Sequence, residues 1–102
     1  MLLLKAFPAV LLFLSTPLLA QGNGITLLSN KDEFTQYNDI WGYTAPNGDE
    51  YALIGTTGGT AVYNAVDPAA PYLTGFIPGP GSLWRDLKTF DHYAYVVTEG
   101  GG

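Results

Sequence analysis

Two aspartates, Asp39 and Asp86, are the residues of this chain whose type and spacing best suit chemistry. Each opens a matching stretch: Asp39-Ile40-Trp41-Gly42-Tyr43 and, 47 positions on, Asp86-Leu87-Lys88-Thr89-Phe90. If the copies superpose, the two carboxylates stand at equivalent points. Carboxylates repeated at one level would take a divalent cation such as calcium, or a cationic ligand. The competing reading is structural. An Asp at a strand start accepts backbone N–H groups from the adjoining turn, and every repeat needs the same joint.

Other polar groups are sparser. Arg85 is the sole arginine. It could clamp an anionic ligand, or it could form a surface or inter-unit ion pair beside Asp86. His92 sits in Phe90-Asp91-His92-Tyr93 with no second His or Cys near it. It is a weak ligand and a weak general base there, and it reads as an exposed turn residue. Asn47, Asp49 and Glu50 crowd oxygen atoms into a hairpin connection. That falls short of a calcium loop with its alternating ligands, and a solvated hairpin is the simpler reading. The serines and threonines lack a nucleophile-elbow context. Gly58-Gly59 and Gly100-Gly101-Gly102 precede no helix, so they are turns and not phosphate loops. No catalytic constellation emerges. Trp41, Trp84 and the aromatics Tyr37, Tyr43, Phe90, Tyr93 and Tyr95 are expected mostly to pack between units. A few could line a carbohydrate- or peptide-binding mouth.

The elements that must position these residues repeat as well. Tyr51-Ala52-Leu53-Ile54 followed by Gly58-Gly59 returns as Tyr93-Ala94-Tyr95-Val96 followed by Gly100-Gly101, 42 positions later. A repeat of roughly 40–50 residues built from short strands is the signature of a β-propeller. The expected strands of the first unit run over 39–43, 50–56, 60–66 and 72–77. Asn47-Gly48 supplies the positive φ angles of the first hairpin. The apolar run of the second strand suits a strand covered on both faces. Asp67-Pro68-Ala69-Ala70-Pro71 is a rigid outer turn. Pro78-Gly79-Pro80-Gly81-Ser82 carries the chain back to a second unit that begins near Arg85. Residues 25–29 are expected to form a strand that helps close a ring. The organisation is therefore a leader at 1–20, an N-terminal segment at 21–38, a first four-stranded antiparallel blade at 39–81, and half of a second at 82–102. The fold class is all-β.

The leader reads as a secretory signal peptide. Lys5 gives the positive start, residues 6–14 the apolar stretch, and Ala20 the residue before the cut. The run is short for a membrane span and Pro17 closes it. With no Cys near the cut, lipoprotein processing is excluded. The exported chain then keeps Lys31, Arg85 and Lys88 against nine acids. Such an acidic chain lacks the clustered Lys and Arg that phosphate backbones require, which argues against nucleic acid. Zero cysteines remove disulfides and thiol chemistry. A unit this small, without staples, is expected to need further blades or self-assembly to cover its two apolar faces.

With these residues in view, the chain resembles the LVIVD-repeat propellers of exported proteins, and more narrowly the choice-of-anchor B family. The resemblance rests on Asp39-Ile40 and Asp86-Leu87, the two Tyr-Ala stretches, Gly58-Gly59, Asp67-Pro68-Ala69-Ala70-Pro71, Tyr37-Asn38-Asp39-Ile40-Trp41-Gly42-Tyr43 and Trp84-Arg85-Asp86. It departs at Asn64, where the pattern commonly has Asp. It spans nearly all of the chain after the leader. It implies more blades than are present, so the sequence reads as an N-terminal fragment, and a surface location. The function expected is a secreted, periplasmic or cell-surface scaffold that binds a protein, peptide or carbohydrate without catalysing a reaction. The alternatives are a lactonase-like hydrolase with a metal in the central channel, or a truncated product without function of its own.

Overall fold

β-branched and aromatic residues between Gly, Pro and Asn turns give short strands joined by tight hairpins. The computed structural model describes residues 24–101, so the expected leader lies outside the described residues. The strands are β1 (Tyr37–Thr44), β2 (Glu50–Thr56), β3 (Gly59–Asn64), β4 (Tyr72–Pro78), β5 (Arg85–Phe90) and β6 (Tyr93–Thr98). All pairings are antiparallel. β1–β4 form one sheet in chain order, and β5–β6 form a second, two-stranded sheet. The described residues contain no helix.

Three details differ from expectation. β3 stops at Asn64 and does not reach Val66, because the Asn64 side-chain oxygen accepts the Val66 N–H at 3.0 Å and turns the chain. Residues 25–29 form no strand. A strand needs an edge to pair with, and Ile25 and Leu27 stay exposed instead. In the β1–β2 connection only Gly48 takes a positive φ, at 91°. The Gly48 N–H bonds the Ala45 carbonyl at 2.8 Å, so Pro46-Asn47 forms the right-handed corner and Gly48 alone absorbs the left-handed step.

The repeat seen in the sequence is a repeat in pairing. Ile40↔Ile54, Trp41↔Leu53, Gly42↔Ala52 and Tyr43↔Tyr51 in β1–β2 correspond to Leu87↔Val96, Lys88↔Tyr95, Thr89↔Ala94 and Phe90↔Tyr93 in β5–β6. The β5–β6 turn is tighter, with Asp91 at φ 55°, a conformation that Asp tolerates better than most residues.

The two faces of the four-stranded sheet are covered by different parts of the chain. β5 packs across β1 and β2. It presses Arg85 and Leu87 inward, and Leu87 is 0 % exposed, a burial that contributes about 1.5–3 kcal/mol. Residues 33–36 lie on the opposite face, over β3 and β4. Phe34 stacks on Phe76 at 5.5 Å between ring centres and meets Tyr37 edge-on at 6.1 Å. The buried Tyr63 hydroxyl donates to Glu33 Oε2 at 2.5 Å. The Pro-Gly connection to β5 is tied down by Gly79 N–H to the Gly58 carbonyl and Ser82 N–H to the Thr57 carbonyl, both at 3.0 Å.

Candidate functional site

Asp39 sits where β1 shifts register against β2, between Tyr37 and Ile40. Such a bulge re-aims side chains. Here Asn38 folds its side-chain oxygen onto the Asp39 N–H at 3.0 Å, and Asp39 Oδ2 accepts the Leu87 N–H at 2.7 Å. The acceptor role expected of this Asp is therefore exercised, but on the neighbouring hairpin and not on the adjoining turn. The Leu87 amide holds the Asp39 carboxyl below the ordinary aspartate value. The Ile40 amide adds to this, burial opposes it, and the nearby Asp86 carboxyl and the Lys88 charge contribute smaller lowering effects.

Asp86 occupies the corresponding place in β5, which pairs regularly with β6. Its carboxylate is exposed and lies 3.3 Å from Lys88 Nζ. Among the described residues no group of three or more His, Asp or Glu could hold a metal ion. Asp39 and Asp86 are neighbours, with Lys88 as the nearby cation.

Arg85 is only 5 % exposed and makes no ion pair with Asp86. Its Nε donates to the Thr56 carbonyl at 2.8 Å, and its terminal nitrogen to the Thr57 and Pro80 carbonyls. A planar fork of donors suits three carbonyls converging from two loops. Gly55 makes room for it: a Cβ there would meet Arg85 Cβ at 3.3 Å and collide with the Asn38 side chain. The guanidinium clasps the β2–β3 turn to the linker and is not open to a ligand.

Trp41 and Trp84 diverge. Trp41 is half-buried between the hairpins, donates from Nε1 to Thr89 Oγ1 at 2.8 Å, and carries Lys88 Nζ 4.2 Å above its ring. The Trp84 indole is 67 % exposed, while its carbonyl accepts from Ser82 and Thr98 hydroxyls at 2.7 and 3.0 Å. Asn47 turns inward on its own loop, accepting the Asp49 N–H at 3.0 Å.

Between the β1–β2 and β5–β6 hairpins lies a cleft of about 280 Å³. Tyr43, Tyr51 and Tyr93 wall it, with Leu53 and Val62 at its floor and Thr89 and His92 among its lining residues. Tyr43 and Tyr51 tilt at 36° with centres 6.4 Å apart. The His92 ring lies 4.1 Å from that of Tyr93 and its Nδ1 is 2.9 Å from Asp91 Oδ2. Among the described residues, none of the three tyrosine hydroxyls has an intramolecular partner. Tyr43 and Tyr93 are among the aromatics expected at a binding mouth and His92 is expected as an exposed turn residue, whereas Tyr51 carries no such expectation. The signal was present in the return of Tyr51 as Tyr93.

No protein-family model matches this chain, and no curated protein and no solved structure matches it.

Proposed function

We propose that this chain is the start of an exported or cell-surface β-propeller of the LVIVD, choice-of-anchor B kind, acting as a non-enzymatic binding scaffold. Residues 1–20 direct export. The four-stranded sheet is the first blade and the β5–β6 hairpin the inner half of the second. The equivalence of the two hairpin registers supports this reading of the units.

The observation that carries the binding role is the cleft walled by Tyr43, Tyr51 and Tyr93. Apolar rings with free hydroxyls at their tips suit a ligand with one flat apolar face and polar edges, such as a sugar ring or a side chain of an extended peptide. The volume fits one such group. Asp39 and Arg85 are engaged in joining the two units, which leaves the aromatic surface, with exposed Trp84 beside the linker, as the recognition surface.

The test is binding of a panel of oligosaccharides and short peptides to the purified chain, read by calorimetry or by tyrosine fluorescence. At least one class should bind, and Tyr51→Ala should weaken it tenfold or more while leaving the melting point near that of the parent. Binding indifferent to Tyr51 and Tyr93, or none across the panel, would remove the cleft from the account.

A further inference from the structure

The Asn47-Gly48 turn between β1 and β2 carries a chemistry that neither the joint between the units nor the cleft uses. The side-chain amide of an asparagine is open to attack by the backbone nitrogen of the next residue, which closes a succinimide ring. The step needs a polarised side-chain carbonyl, room around the attacking nitrogen and a backbone able to move.

The turn meets all three needs. Asn47 Oδ1 accepts the Asp49 N–H at 3.0 Å. That amide polarises the Cγ carbonyl and stands where the negative charge of the tetrahedral adduct develops. Gly48 has no side chain, takes φ 91°, and would meet nothing within 4 Å of an added Cβ, so its nitrogen is approached without hindrance. Both residues are exposed. The Gly48 N–H is held by the Ala45 carbonyl at 2.8 Å, and opening one exposed turn costs far less than unfolding the sheet.

Asn64 shows the contrast within the same sheet. Its Oδ1 accepts the Val66 N–H at 3.0 Å, the same arrangement as at Asn47. It is only 9 % exposed, however, and the next residue is Ala65, whose Cβ crowds the nitrogen and whose N–H is bonded across to the Glu50 carbonyl at 2.8 Å. Asn38 is held in another way. Its Oδ1 accepts the N–H of Asp39, the very nitrogen that would have to attack. Asn30 is followed by Lys31, whose side chain hinders the approach.

We propose that Asn47 is a self-modification site, which converts to aspartate and isoaspartate through a succinimide formed with Gly48. Base removes the Gly48 amide proton, the Gly48 nitrogen bonds to Asn47 Cγ, and the Cγ–Nδ2 bond breaks as ammonia leaves with a proton from water. Water then opens the ring. Attack at Cγ restores the ordinary main chain with an aspartate at position 47. Attack at the α-carbonyl leaves the main chain running through Cγ. Either product adds a negative charge to a turn that already holds Asp49 and Glu50. The isoaspartyl product also lengthens, by one carbon, the connection between the cross-strand partners Tyr43 and Tyr51 that wall the cleft. The site is internal to one hairpin, so it does not depend on the two units being successive blades or on a ligand in the cleft.

The experiment holds the purified full chain in mildly alkaline buffer and follows it by mass spectrometry after chymotryptic digestion. That digest separates Asn47, between Tyr43 and Tyr51, from Asn38, between Tyr37 and Trp41, and from Asn64, which follows Tyr63. The Asn47 peptide should be the first of the three to exchange its amide for a carboxylate. It should split into two isomers, as ring opening at both carbonyls requires, while Asn64 keeps its amide. Gly48→Ala should slow the loss at least about tenfold, because its methyl group hinders the attacking nitrogen. The parent chain in urea gives the rate set by the Asn-Gly pair alone, free of any effect of a variant on folding. Folded Asn47 should react within about tenfold of that rate, since only one turn has to open. If Asn47 keeps its amide in the folded chain while losing it in urea, the turn protects the site and the proposal is overturned. Loss at Asn38 or Asn64 as fast as at Asn47, or an unchanged rate in Gly48→Ala, overturns it too. So does a single aspartyl isomer, which would mean direct hydrolysis by water without the ring.

Discussion

The Asp39 carboxylate and the Leu87 amide, 48 positions apart, meet at 2.7 Å. This bond, together with that from Trp41 Nε1 to Thr89 Oγ1, joins the first strand of one hairpin unit to the first strand of the next. Leu87 is fully buried, so its amide has little access to water as a substitute partner. Asp39→Ala should therefore lower stability more than Asp86→Ala, because the Asp86 carboxylate is exposed, accepts no buried amide, and has only a surface ion pair with Lys88 and the neighbouring Asp39 carboxyl beside it. Chemical denaturation of both variants gives the comparison. Equal effects would mean that the bond contributes no more than a surface charge.

The same bond sets an acid limit. The folded state favours the charged form of Asp39, whose value lies below the ordinary 3.8. Its contribution is complete above pH 3.8 and is lost as the pH falls below that value and the carboxyl protonates. The stability gap between the parent and Asp39→Asn should be constant from neutral pH down to about pH 4 and then narrow. A gap that narrows near neutrality would point to another group.

Arg85 should be the most sensitive polar position. Its removal frees the Thr56, Thr57 and Pro80 carbonyls and unties the linker from the β2–β3 turn. Hydrogen bonds from a charged donor contribute roughly 1.5–3 kcal/mol each, and partial rescue by water brings the expected cost of Arg85→Ala to about 3 kcal/mol. Arg85→Lys should recover only part, since one ammonium cannot span carbonyls on two loops. Urea midpoints at unchanged slope are the readout.

The strands were largely legible in the sequence, and the joints were not. β2 follows from Tyr51-Ala52-Leu53-Ile54 between turn residues, and the Asp-aliphatic and Tyr-Ala repeats foretell the matched registers. Arg85 reads as an ion pair beside Asp86, but its partners are backbone carbonyls, which carry no residue-type signature. Asp39 reads as an acceptor, but the donor is an amide from another unit, a long-range pairing that strand patterns do not specify. Tyr51 was hidden because its run reads as a covered strand, while the tighter second turn opens a cleft beside it. The covering role of Phe34 escaped notice because one aromatic in a polar segment has no period to reveal it.

Gly55 should tolerate no side chain. A Cβ there collides with the Asn38 side chain and crowds Arg85. Gly55→Ala should cost about 1–3 kcal/mol through forced displacement of the packed hairpin. Gly42 lies in the adjacent strand with nothing within 4 Å of an added Cβ. Gly42→Ala should therefore be neutral, or stabilising by about 0.4–1 kcal/mol through the unfolded chain. Equal costs at the two positions would mean that the hairpin is not seated as closely as Arg85 indicates.

Tyr63 should mark the alkaline limit. Burial pushes its hydroxyl well above the ordinary value of 10.0, and the hydrogen bond and charge of Glu33 raise it further. Because the folded state favours the protonated phenol, its contribution is complete below pH 10 and is lost as the pH rises beyond that. Glu33→Gln keeps an acceptor but removes the charge, so Tyr63 should ionise at lower pH in that variant. Phe34→Ala should loosen the same segment without touching the hydroxyl, at a cost of about 1–3 kcal/mol for a half-buried ring. Ultraviolet titration of tyrosinate resolves the two. In the parent, one tyrosine should ionise only as the fold is lost. If Tyr63 ionises while the sheet persists, residues 33–36 do not cover β3 and β4 in solution, and the face assigned to them is open to a partner.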